Sequence, residues 1–202
     1  MGQAYEMIYQ ELLPRLAHCN LDKRAARMGL AAPVDGVVEC GFLGRKYHIS
    51  QTGVEPADGL PVYTNNLSVL IHYILSEGFG ENENIFVPMS QLTGLVPSGH
   101  SHDRIFTKPL WTTFSSDYGF MIPAAETIGG VLEPESQPGV HIWHFQVLPK
   151  VPLKLIYYEA DDEYPVDIKI LVDRGSIKFL EYECLAFMIG CFNRELIVQA
   201  TA

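Results

Sequence analysis

Residues 140–173 read VHIWHFQVLPKVPLKLIYYEADDEYPVDIKILVD, and the period of this stretch decides the fold class. Apolar residues recur through three runs, Val140 to Leu148, Leu153 to Glu159 and Val166 to Val172. A period of two belongs to strands, whose side chains alternate between faces. In the third run Val166, Ile168, Ile170 and Val172 face one way, and Asp167 and Lys169 face the other. PKVP joins the first two runs and an acidic loop joins the second and third. Such links are too short for a parallel crossover, so the expectation is an antiparallel meander.

Working outward, Asp173 or Ser176 is placed to cap a closing helix. Its apolar stripe is Ile177, Leu180, Cys184, Phe187, Met188 and Cys191. Far upstream, VVECGFL and KYHIS flank Gly44-Arg45, which predicts a hairpin with a type II′ turn. In that register Cys40 faces Ile49 and Phe42 faces Tyr47. Residues 3–28 have helical spacing, with Pro14 expected to kink or end the first piece, Asn20 to cap the second and Gly29 to stop it. Gly53 to Pro61 reads as a turn-rich loop. A helix follows, capped by Asn65 or Asn66, with Leu67, Leu70, Ile71 and Ile74 inward. Ile85 to Val87 is a short strand before Pro88. Residues 90–117 suggest short helices under a loop, and Tyr118 to Ile128 a further helix stopped by Gly129-Gly130. The fold class is therefore α+β, with a mostly antiparallel sheet (N-terminal hairpin plus C-terminal meander) packed with helices. No linker or repeat divides the chain, so residues 1–202 are expected to form one domain.

Composition narrows the function classes. The 202 residues carry 24 acids against 14 bases, a formal net charge of −10 that repels nucleic-acid backbones and anionic membranes. Charged residues are only 19 %, so the surface leans on neutral polar groups or is partly covered by a partner. The N-terminal stretch has Glu6 and Glu11 where a secretory signal needs basic and then apolar residues, and Leu67 to Leu75 is too short to span a bilayer. The expected location is cytoplasmic. Cys19, Cys40, Cys184 and Cys191 form no CxxC pair, which speaks against zinc ribbons, thioredoxin-type chemistry and cluster ligation, and no cofactor is expected.

Three polar features carry possible chemistry. Asp161-Asp162-Glu163 lies in the loop of the meander, with Asp167 and Asp173 nearby in sequence. Adjacent carboxylates can bind a hard cation or raise one another's pKa, but a solvated loop that keeps strands in register needs the same residues. His100 and His102 would share one side of an extended segment and could meet a metal; an ordinary exposed loop is the alternative. His141 and His144 fall on opposite faces of a strand and cannot share an ion there. No nucleophile elbow, Walker loop, dinucleotide fingerprint or HExxH motif occurs.

Several of these segments together resemble a known family, the domain of unknown function 3786. The residues that carry the likeness are Tyr47 and Ile49 after Gly44, the run from Leu70 to Leu75, Gly129-Gly130, and Val151 through Asp161-Asp162-Glu163-Tyr164-Pro165 to Asp173. The resemblance implies a role in anaerobic metabolism beside iron–sulfur modules, although this chain lacks a cysteine-rich extension and would bind no cluster itself. It raises the standing of Asp161, Asp162, Glu163, Pro165 and Asp173, whereas His100 and His102 lie outside the pattern. The function expected is a non-catalytic accessory module that binds a small molecule or a partner protein at Asp161, Asp162, Glu163 and Asp173, with a homo-oligomer possible. The alternative is a carboxylate- or metal-dependent enzyme that uses the Asp161–Glu163 loop.

Overall fold

The computed structural model describes residues 2–92, 101–134 and 137–201. Helices α1 (Gly2–Ala17) and α2 (Leu21–Arg27) precede a three-stranded sheet of β1 (Val38–Phe42), β2 (Arg45–Ser50) and β3 (Gly53–Pro56). Helix α3 (Thr64–Leu75), strand β4 (Phe86–Val87), and helices α4 (Ser101–Phe114) and α5 (Met121–Thr127) follow. Strands β5 (Gly130–Leu132), β6 (Val140–Leu148), β7 (Val151–Tyr158) and β8 (Asp167–Asp173) precede the closing helix α6 (Tyr182–Thr201). The second sheet has the order β4-β8-β7-β6-β5, antiparallel throughout. This is the α+β architecture and the meander that the alternation of residues 140–173 predicts.

That alternation also places the core. Along β7 buried and half-buried residues alternate without a break, so Leu153, Leu155 and Tyr157 turn inward with Trp143, Phe145, Ile168 and Ile170. Helix α6 closes this inner face. Its Phe192 ring meets Phe145 edge-on at 4.8 Å, and Leu185, Met188, Ile189 and Leu196 are buried beside it. Each such side chain stabilises by about 1.5–3 kcal/mol relative to exposure. On the other side α1 packs on α3, and Tyr73 of α3 reaches two distant segments. Its hydroxyl donates to the Met28 carbonyl (2.8 Å) and accepts from the Lys150 N–H (3.0 Å).

Several expectations are corrected. The first hairpin turns at Leu43-Gly44, both left-handed (φ +52° and +75°), which is a type I′ turn. Cys40 therefore pairs with Tyr47 and Phe42 with Arg45. The slip from the predicted register is two residues, so every side chain keeps its face. Glycine is needed at Gly44 because a Cβ there would lie 2.4 Å from the Thr127 carbonyl oxygen. The expected loop after residue 53 begins with a third strand. Helix α1 runs on through Pro14, where burial of Leu12 and Leu16 offsets the lost backbone bond. Tyr63, not Asn65 or Asn66, occupies the N-cap of α3. Asn66 is buried, donating to the Tyr47 hydroxyl and accepting from Arg194, whose guanidinium lies over the Tyr63 ring. Asp173 caps a short 3-10 turn, Arg174–Lys178, and α6 begins only at Tyr182.

Candidate ligand-binding groove

The stretch 90–117, expected to form short helices under a loop, contains instead the continuous helix α4 with Pro109 inside it. Leu110 and Phe114 are its buried residues, and Phe106 packs on the core. Five hydrogen bonds fix it in place. Asp103 accepts from the Ser90 backbone (3.1 Å) and hydroxyl (2.6 Å), and Asn193 donates to the Phe106 carbonyl. Tyr157 donates to the Phe114 carbonyl (3.0 Å), and the Trp111 indole donates to the Val166 carbonyl (3.1 Å).

The opposite stripe of α4 faces outward at helical spacing: Arg104, Ile105, Lys108 and Trp111. With Pro165 and Val166 before β8 they enclose a concavity of about 430 Å3. A second hollow of about 250 Å3 continues past Arg104 and Thr107 along Asp167–Leu171 to Pro88. Ile105 is 67 % exposed and Trp111 47 %, a large apolar surface for a groove wall. Neither Arg104 nor Lys108 has an ion-pair partner among the described residues. Apolar walls with a few placed charges are the usual make-up of a ligand seat.

The acidic loop adjoins this groove but does not converge into a site. Asp161 uses one carboxylate oxygen to accept from the N–H of Glu163 (2.9 Å) and of Tyr164 (2.7 Å), while its own N–H donates to the Tyr164 carbonyl. It folds the loop on itself, as turn-forming aspartates do. Asp162 and Glu163 are exposed. A concavity of about 520 Å3 lies on the loop's other flank, between Gln137–Val140 and Tyr158–Asp161. Asp173 stands at the far end of β8, about 20 Å from Asp167 by strand length. It is fully buried, and its carboxylate accepts from the N–H groups of Glu83 (3.0 Å), Ile85 (3.1 Å) and Gly175 (2.8 Å). Of the four acids proposed as ligand groups, the loop trio is thus separated from Asp173. No described group of three His, Cys, Asp or Glu side chains is placed to hold a metal ion.

His100 lies outside the described residues, as does the side chain of His102. The backbone at residue 102 belongs to the first turn of α4, not to an extended segment. His141 and His144 separate to opposite faces as expected. His141 Nε2 lies 2.8 Å from Glu159, and its ring stacks on Tyr118 at 3.9 Å. The Tyr118 hydroxyl accepts from the Trp143 indole (2.9 Å), and burial raises its pKa. His144 pairs with Glu133. These contacts orient sheet residues.

The family described as a domain of unknown function (DUF3786) matches residues 20–195. The chain belongs to that family. No curated protein and no solved structure was found to match. The DUF3786 match spans α2 to α6 and so includes both walls of the groove. No described helix is long and apolar enough to cross a membrane.

Proposed function

We propose that this chain is a non-catalytic binding module, an accessory to anaerobic metabolism, that seats a small molecule or a segment of a partner protein between α4 and β8. One observation carries the reading. Exposed Ile105 and Trp111 share a concavity with Arg104 and Lys108, two cations without a described carboxylate partner in a chain of net charge −10. That arrangement suits a ligand with an apolar body and an anionic group. The acidic loop enters as architecture: it ends at Pro165, which forms part of the groove mouth. The anaerobic setting rests on the family resemblance. The enzyme reading has less support, because Asp161 is engaged in its own turn while Asp162 and Glu163 splay into solvent.

The test uses anilinonaphthalene sulfonate, an aromatic anion, with Trp111 emission as the reporter. Trp143 is buried, and a Trp111→Phe variant measures its share of the emission change. Saturable binding with a Trp111 response is expected, weakened roughly tenfold by Ile105→Asp at an exposed position that folding does not need. Binding that is unsaturable, or unchanged in Ile105→Asp, refutes the groove as the seat.

A further inference from the structure

The sheet β4-β8-β7-β6-β5 has two faces, and α6 closes only one of them. Leu153, Leu155 and Tyr157 of β7 are buried on that inner face, whereas Lys154, Ile156 and Tyr158 on the opposite face are half-buried. The neighbouring strands agree. Val140, Ile142 and His144 of β6 and Leu171 of β8 are half-buried, and Val131, Asp167 and Lys169 are exposed. Exposure of this kind means that no described helix lies across the outer face. The register sorts that face into rows, since paired residues on adjacent strands share a side. The Glu133 N–H donates to the Ile142 carbonyl (2.8 Å), Ile142 pairs with Ile156, and Ile156 pairs with Lys169. This row therefore has a carboxylate at one end, a cation at the other and two isoleucines between them. The next row reads Val131, His144, Lys154, Leu171. The charges of the face balance, Glu133 and Asp167 against Lys154 and Lys169, in a chain whose net charge is −10.

We propose that two copies of this chain pair through this outer face, sheet on sheet, about a two-fold axis that runs along the strands between β6 and β7. The proposal goes beyond the groove reading and does not depend on it. A two-fold interface is isologous, so each row meets its own reverse. Glu133 then faces Lys169 of the second copy and Ile142 faces its Ile156, and both contacts repeat by symmetry. In the next row Val131 faces Leu171, and Lys154 faces His144, whose imidazole is held by Glu133. Packed sheets stand about 10 Å apart and cross at about −30°, which lets isoleucines interdigitate and a lysine reach a carboxylate. Lys169 is available for that contact, because its pairing with Asp167 is long (3.9 Å) and its side chain is 53 % exposed. Strand spacing and rise give the face roughly 500 Å2, so two faces together bury about 1,000 Å2, the lower limit for a specific interface. Two chains of net charge −10 can approach through this balanced face without bringing like charge together.

Sedimentation velocity of the full chain over a concentration series tests this. A reversible monomer–dimer equilibrium in the micromolar range is expected, as suits an interface of this size. Ile156→Asp should abolish the dimer, with circular dichroism to confirm the fold. Glu133→Lys and Lys169→Glu should each weaken self-association roughly tenfold or more, because each sets like charges face to face twice in the dimer. Mixed in equal amounts, these two variants should associate with each other about as tightly as the parent does with itself, since every facing pair is then opposite in charge. Misfolding or general adhesiveness would not produce that recovery. A parent that stays monomeric into the millimolar range overturns the inference and leaves the face to a different occupant. A mixture that associates no better than either variant alone overturns it as well, and so does a folded Ile156→Asp that dimerises like the parent.

Discussion

Asp173 was expected to bind a ligand, yet its carboxylate has three backbone donors and no exposed surface, and replacing it separates the two roles. Asp173→Ala removes the acceptor for the N–H groups of Glu83, Ile85 and Gly175 at once. A hydrogen bond to a charged group contributes about 1.5–3 kcal/mol, and a buried donor left without a partner costs about 1–3 kcal/mol. Water that enters the space vacated by the carboxylate will satisfy part of the deficit, so a net loss of about 3–5 kcal/mol is expected. For a chain of this length that lowers the melting temperature by about 6–20 °C. Asp173→Asn retains one oxygen but turns an amide N–H₂ toward backbone donors, with an expected loss of about 2–3 kcal/mol. Urea unfolding followed by circular dichroism gives both values, and anilinonaphthalene sulfonate binding below the transition gives the function. If Asp173→Ala melts like the parent and loses binding, the structural assignment of this carboxylate is wrong.

Gly44→Ala should cost roughly 2–4 kcal/mol, because the position is left-handed and the new methyl meets the Thr127 carbonyl; a chemical melt within error of the parent would contradict the type I′ turn. Hydrogen bonds from Arg24 and then Arg27 hold Glu77 down at about 2, against the usual 4.5. A depressed carboxyl stabilises above the unfolded value and loses that contribution as pH falls through the folded one. The parent's margin over Glu77→Gln should therefore shrink between pH 4.5 and about 2, and a pH-independent margin in acid melts would refute the pairing. Burial pushes the Cys40 and Cys191 thiols up to about 12. Both should resist a disulfide reagent at pH 8 in the native protein and react on unfolding; rapid native labelling of either would show that the core around them opens.

Much of the fold was legible because period-two alternation leaves little choice of face. β6, β7 and β8 match the predicted runs to within a residue or two, and the two-residue slip in the first hairpin changed partners without exposing Cys40 or Tyr47. What was missed depends on contacts distant in sequence. β3 has only four residues, with glycine and proline at its two ends, too few to show a period. Pro109 and the turn-rich lead disguised α4, whose stability comes from Ser90, Asn193, Tyr157 and Val166, residues on four other segments. The groove follows the same logic. Its walls are joined by Trp111 and Val166, 55 residues apart. Asp173 resembled its acidic neighbours in sequence, and only the tertiary fold shows backbone donors around it. The sequence directed attention to loop 161–165, whereas the seat proposed above is lined by apolar and basic residues beside that loop.

The Tyr73 hydroxyl described above has a consequence for how the molecule comes apart. One oxygen is shared by the end of α2 and the turn between β6 and β7, segments that lie 45 and 77 residues from it along the chain. Swinging the N-terminal helices away strips that oxygen of one partner, and opening the hairpin turn strips it of the other. Neither segment can loosen without weakening the anchorage of its counterpart. Native-state exchange should therefore gather the carbonyl end of α2 and the 148–151 turn into one opening event, with similar free energies and a common response to denaturant.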